Sequence, residues 1–155
     1  MKAKIRLWLL LAICFSSPAQ AQSIANVRVF SELDNKANLN CGASNDSAVA
    51  AVKAALRYNR ISIADAPNND FSIYLNINNF EVASKECAIA IDMQVYFYAY
   101  TQVPKTKKSI ILKTLLCERG SAGYLDKSSM QSNINTKLKG YVDECVTEIE
   151  NQIKK

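Results

Sequence analysis

The chain contains no histidine. Imidazole is the side chain that most often serves as a general base near neutral pH, and it is also a common zinc ligand, so both roles lose their usual carrier. Glycine is scarce, at 4 residues in 155. None of the four belongs to a phosphate-cradling loop or a G-x-S-x-G turn, and no S-x-x-K occurs. The carboxylates Asp65, Asp70 and Asp92 lie in or beside strand-like runs, where capping and solvation explain them. The segment DNKANLN resembles a calcium loop only loosely, because it lacks the central glycine and the terminal glutamate. The sequence therefore predicts a protein that is not an enzyme, with no catalytic residue, no cofactor and no metal site.

Long apolar runs are also missing. The longest, Leu7 to Phe15, falls short of the roughly 20 residues that span a bilayer. It follows the bases Lys2, Lys4 and Arg6 and precedes Ala19-Gln20-Ala21, the pattern of a secretory signal peptide cleaved before Gln22. Leu11 to Cys14 departs from a lipoprotein signal because Ile13 stands where a small residue belongs. The expectation is a cleaved leader at residues 1–21, a single domain at 22–155 and no transmembrane anchor after cleavage. The full chain carries 19 Lys+Arg against 14 Asp+Glu. Three of those bases and no acid lie in the leader, so 16 bases face 14 acids in the mature chain, a net charge of +2. A charge that small argues against a nucleic-acid partner.

Cys41, Cys87, Cys117 and Cys145 remain after the leader takes Cys14. An even number of cysteines in an exported chain implies disulfides, and four of them allow three pairings. No two are spaced as a zinc knuckle requires.

The periodicity gives the order β-α-β-β-β-β-α, with short strands at Val27–Phe30 and Ile61–Ala64. A helix begins near Asn45 or Asp46, either of which is a suitable cap, and shows an apolar stripe of Ala48, Val49, Val52, Ala55 and Leu56. Phe71, Ile73, Leu75 and Ile77 alternate with polar residues. Phe80 and Val82 break that parity, which predicts a bulge or strand end at Asn79. The next run, ECAIAIDMQVYFYAYTQ, sets Cys87, Ile89, Ile91, Met93, Val95 and Phe97 on one side and Tyr96, Tyr98 and Tyr100 on the other. After the turn VPKTKKS, a strand runs back over SIILKTLLCERG. A long helix from about Ser128 repeats Ile134, Leu138, Tyr141, Val142, Cys145, Ile149 and Ile153 at spacings of three and four.

Short connections between the later strands favour an antiparallel meander, and the two amphipathic helices cover one face of the sheet. The fold class is α+β, a two-layer sandwich with a mostly antiparallel sheet. If Cys87 begins one strand and Cys117 ends its partner, those two share an end of the sheet, which favours Cys87–Cys117 and Cys41–Cys145. Cys117 has the parity of Lys113 as well as of Ile111 and Leu115, so without a bulge the pattern leaves its side of the sheet open.

The run ALRYNRISIADAPNNDFSIYLNINNFEV resembles periplasmic domains of penicillin-binding-protein activator lipoproteins, the curli secretion lipoprotein and the amino-terminal domain of TolB. The shared features are a helix end, a short strand closing on Asp65, a polar break and a long alternating strand from Asp70. The resemblance is architectural and carries no diagnostic motif. It implies a cell-envelope adaptor that binds proteins without catalysis. This chain departs from the lipoprotein members in lacking a lipidation cysteine and in having four mature cysteines.

Tyrosine combines a large contact area with few rotatable bonds and a hydroxyl that tolerates water, so Tyr96, Tyr98 and Tyr100, with Tyr74 on the neighbouring strand, are candidate partner-binding residues. Strand propensity and cross-strand packing account for the same residues structurally. Lys105, Lys107 and Lys108 in the turn suit an anionic partner, or simply protect a sheet edge. Together these readings predict an exported, periplasmic or secreted, disulfide-stabilised module that binds a protein partner in the cell envelope. An inhibitor or immunity-like protein that blocks a secreted or cell-wall enzyme is the alternative.

Overall fold

The computed structural model describes Ile24 and residues 26–32, 40–64 and 71–154. The expected leader at 1–21, Asp65, Asp70 and most of the DNKANLN segment lie outside these residues. The elements are β1 (Val27–Glu32), α1 (Asn45–Tyr58), β2 (Phe71–Ala83), β3 (Glu86–Gln102), β4 (Ser109–Asp126) and α2 (Met130–Ile153), the last entered through a 3-10 turn at Lys127–Ser129. The sheet order is β1-β2-β3-β4. β1 runs parallel to β2, and β2, β3 and β4 form the expected antiparallel meander. The fold of the described residues is thus α+β, with a mixed four-stranded sheet and two helices. The short strand expected at 61–64 is present as a single parallel bridge between Val27 and Ile63.

Ser44, one residue before the expected caps, caps α1 by accepting a hydrogen bond from the Ser47 amide. Asn45 opens the helix and is buried. Ala48, Val52, Ala55 and Leu56 from α1 join Ile134, Leu138, Val142 and Ile149 from α2 in one core with Ile73, Leu75, Ile91, Met93 and Val95 from the sheet. Asn59 Nδ2 donates to Asp143 Oδ1 at 2.7 Å and ties the two helices together at their polar margin.

β4 is longer than its sequence pattern predicts, and this corrects the disulfides. The bonds are Cys41–Cys87 and Cys117–Cys145, not Cys87–Cys117 and Cys41–Cys145. β4 continues to Asp126, so Cys87 stands opposite Leu125 while Cys117 stands opposite Val95. The eight residue steps from Cys117 to Leu125 separate the two cysteines by roughly 27 Å along the strands. From Met130, α2 covers about 22 Å on the way to Cys145, which carries that cysteine back to Cys117. Cys41 sits at the other end, where the next residue, Gly42, lies close to the Lys127 carbonyl with φ +73.

Two register shifts set which side chains face the helices. Val95 pairs with Cys117 and Tyr96 with Leu115, so Leu116 is the extra residue of a bulge. Cys117 thereby turns inward although Ile111, Lys113 and Leu115, of the same parity, face outward. The second shift lies between Glu81 and Ala83, not at Asn79. β2 keeps its phase through Asn79, which is buried, and the outward positions fall to Phe80 and Val82.

Oxidised protein should have an intact mass about 4 Da below its fully reduced form, and proteolysis without reduction should yield peptides joining Cys41 to Cys87 and Cys117 to Cys145. Loss of either native bridge should cost roughly 2–5 kcal/mol. A map that joins Cys87 to Cys117 would contradict the register of β4.

Candidate interaction face

The sheet face away from the core is lined from β1 to β4 by residues of the outward parity. Phe30 pairs with Tyr74, Tyr74 with Gln94, and Gln94 with Glu118. The Phe30 and Tyr74 rings are 5.5 Å apart and tilted at 52°, a geometry that brings the edge of one ring toward the face of the other. The Arg28 guanidinium lies 5.7 Å from the Phe30 centroid. In the adjoining row Ser72 stands opposite Tyr96, so Tyr74 and Tyr96 are diagonal neighbours.

Tyr96 is held by two contacts, the first of them extended by a further hydrogen bond. Its hydroxyl donates to Gln94 Oε1. Gln94 Nε2 donates to Glu118 Oε1 at 2.7 Å, and Lys113 Nζ stands 3.6 Å from the Tyr96 ring centroid. That separation permits a cation–π attraction, which also occupies the charge on Lys113.

Tyr98 and Tyr100 lie elsewhere. β2 begins at Phe71 opposite Phe97, and beyond that point, among the described residues, β3 and β4 pair only with each other. Tyr98–Gln102 and Ser109–Lys113 form a two-stranded arm that extends roughly 17 Å past the four-stranded sheet. Tyr98 is half-buried opposite Lys113, and Tyr100, opposite Ile111, is 69% exposed. Lys105, Lys107 and Lys108 stand exposed in the turn at the arm's tip, where Lys107 has φ 52. The candidate residues therefore form three groups: Tyr74 with Tyr96 on the sheet, Tyr98 with Tyr100 on the arm, and the lysines at its end. Phe97, expected in the core, is half-buried at the sheet's limit, 5.1 Å from Phe71.

Sequence periodicity missed the opposite end of the face. Phe80 and Tyr124 flank Ala88 through the register of β2, β3 and β4 and are 63% and 67% exposed. The signal was the apolar pair Phe80 and Val82 after Asn79, which a shift in parity explains equally well.

Asp92 lies on the same face opposite Gly120. Burial raises its pKa, the nearby Glu118 carboxylate raises it further, and a backbone hydrogen bond from Met93 opposes both. Among the described residues, no group of three or more His, Cys, Asp or Glu side chains is placed to hold a metal ion. No described helix is long and apolar enough to cross a membrane.

No family model matches the chain, and no curated protein matches it. Among solved structures, rare lipoprotein B from Shewanella oneidensis is similar at 13% identity and a TM-score of 0.35, over 82% of this chain and 95% of that one. A PelC dodecamer from Paraburkholderia phytofirmans is similar at 11% identity and a TM-score of 0.41, over 86% and 91%. A minor lipoprotein from Acinetobacter baumannii is similar at 9% identity and a TM-score of 0.31, over 83% and 91%. Likeness at this level carries no argument about this chain, and it establishes none of the adaptor families that the sequence resembles.

Because its folded pKa is raised, Asp92 as a carboxylate costs stability at neutral pH, and that cost disappears as pH falls through the folded value. Asp92→Asn should therefore raise the melting temperature at pH 7, with the gain shrinking in acid. A variant that is less stable than the parent at pH 7 would show that the Met93 hydrogen bond outweighs burial and Glu118.

Proposed function

We propose that the chain is an exported, disulfide-stabilised module of the cell envelope that binds a protein partner through the outer face of its sheet. The observation that carries this reading is the distribution of side chains. The core draws both helices to one face, while the other holds Phe30, Tyr74, Tyr96 and Tyr98 between the exposed aromatics Phe80, Tyr100 and Tyr124. Aromatic residues ringed by polar ones are the usual composition of an interface centre and its rim. Two disulfides in a chain of this size support folding in an oxidising compartment, periplasmic or extracellular. The face is broad and offers no histidine, so the reading is binding and not catalysis.

One observation favours a second reading. No acid occurs between Asp92 and Glu118, a stretch that carries Lys105, Lys107, Lys108 and Lys113. A basic arm projecting from a braced body suits an inhibitor that enters the acidic cleft of a secreted enzyme.

A photoreactive phenylalanine analogue in place of Tyr98 should crosslink to an envelope protein, whereas the same group at Tyr58, exposed on α1, should not. Tyr98→Ser should weaken capture of that partner by about 2 kcal/mol or more if Tyr98 is an anchor. Met93→Ala, in the core, should instead lower stability by roughly 2–5 kcal/mol. Equal crosslinking from both positions, or none from Tyr98, would contradict the outer-face reading. Recovery of one hydrolase in place of assembly components would select the inhibitor.

A further inference from the structure

β4 is an edge strand, and its first half is the most apolar exposed segment among the described residues. Between the turn that ends at Lys108 and the bulge at Leu116, Ser109–Leu115 is exposed throughout. Ile111 is 59% and Leu112 47% exposed, and Ile110 and Leu115 are exposed to a lesser extent. Ile111 and Leu115 point to the outer face, and Ile110 and Leu112 to the inner one. Edge strands are ordinarily protected by proline, by several charges or by a bulge within the strand. This segment has no proline and one charge, Lys113, which is drawn over the Tyr96 ring. Alternate backbone N–H and C=O groups along its outer edge point away from β3, and no described strand pairs with them.

We infer that two copies of this chain join edge to edge through Ser109–Leu115, in an antiparallel pair centred on Leu112, making one continuous sheet of eight strands. Such a pair has its two-fold axis perpendicular to the sheet, so residues that stand opposite one another must come from the same face. The midpoint of Ser109–Leu115 is Leu112. Centred there, Leu112 faces Leu112 of the second copy, Ile111 faces Lys113, Ile110 faces Thr114 and Ser109 faces Leu115. The whole segment between turn and bulge is paired, and all four apolar residues are covered along the edge.

The neighbouring registers are worse. Moving the centre to Lys113 sets two lysines directly opposite each other, which is destabilising. Moving it to Ile111 leaves Thr114 and Leu115 beyond the paired strands. The charge pattern agrees with Leu112. In that register the Lys105–Lys108 turn of each copy runs alongside Glu118 of the other, the first acid after Asp92. The pairing sets the two tyrosine arms side by side on one outer face, so the partner face proposed above would draw residues from both copies. An anionic phospholipid surface would meet the same lysines but would cover one face of the arm, leaving the free edge and the other apolar face unexplained.

Sedimentation equilibrium of the oxidised mature protein should show the mass rising from one chain to two with concentration. Amide hydrogen exchange should show concentration-dependent protection confined to residues 109–115. Leu112→Lys, at a half-exposed position the monomer tolerates, should weaken the dimer at least tenfold, and Phe80→Ser at the far end of the sheet should not change it. A chain that stays monomeric at every concentration overturns the inference. So does a dimer indifferent to Leu112→Lys, or a monomer that binds anionic phospholipid vesicles through this segment. These results are independent of the Tyr98 crosslink, so failure of the edge pairing and failure of the partner face can be told apart.

Discussion

The arrangement depends on one extra residue. Leu116 has no partner in β3, and the bulge it makes reverses the facing of β4 between Leu115 and Cys117. Below the bulge, Cys117 points at the helices and is bonded to Cys145, so the sheet and α2 are joined covalently near the middle of the molecule. Above it, Ile111, Lys113 and Leu115 join the tyrosines on the outer face. Without the bulge, either the cysteine or the outward residues would be on the wrong side, because a one-residue slip inverts every side chain of a strand. The Arg119 ion pairs to Glu144 and Glu148, at 2.8 and 2.7 Å, fall on the same joint between β4 and α2. Being partly exposed, they add little beside the disulfide.

The second disulfide closes the other end. Cys41 precedes α1 and Cys87 begins β3, so the bond anchors the entry to the first helix against the sheet. Lys127, at the entry to α2, is tied to the same corner by the hydrogen bond its backbone N–H donates to the Lys85 carbonyl and by its ion pair with Glu81 at 2.9 Å. Both helices are thus fixed near their starts or middles on the inner face, and nothing in the described residues draws either across to the outer one. The open face follows from this bracing and from the phase of β2, which buries Asn79 and exposes Phe80.

What was legible in the sequence was what periodicity controls. The alternation from Cys87 to Val95 marks the inward side of β3, and spacings of three and four mark the buried stripes of both helices. The second half of β4, CERGSAGYLD, has no apolar alternation and contains Gly120 and Gly123, so its strand character comes from pairing with β3 and was invisible locally. Without that half, β4 is too short, Cys117 falls at the end of the sheet that holds Cys87, and the favoured disulfide pairing is the wrong one. Parity alone sets the tyrosines of β3 on the side away from Cys87, Ile89, Ile91, Met93 and Val95. Their division between sheet and arm depends on where β2 begins relative to β3, a register that one strand's sequence does not contain.

The central claim is that one sheet face is core and that no described element covers the other. Hydroxyl-radical footprinting of the native, oxidised protein tests it most directly, because it reads side-chain exposure residue by residue. The account predicts rapid modification of Phe80, Tyr100 and Tyr124, with Leu75, Ile91 and Met93 protected, although both sets lie on strands of the same sheet. Protection of Phe80, Tyr100 and Tyr124 equal to that of Leu75 and Met93, in protein that is demonstrably monomeric, would contradict it and make the outer face a second core.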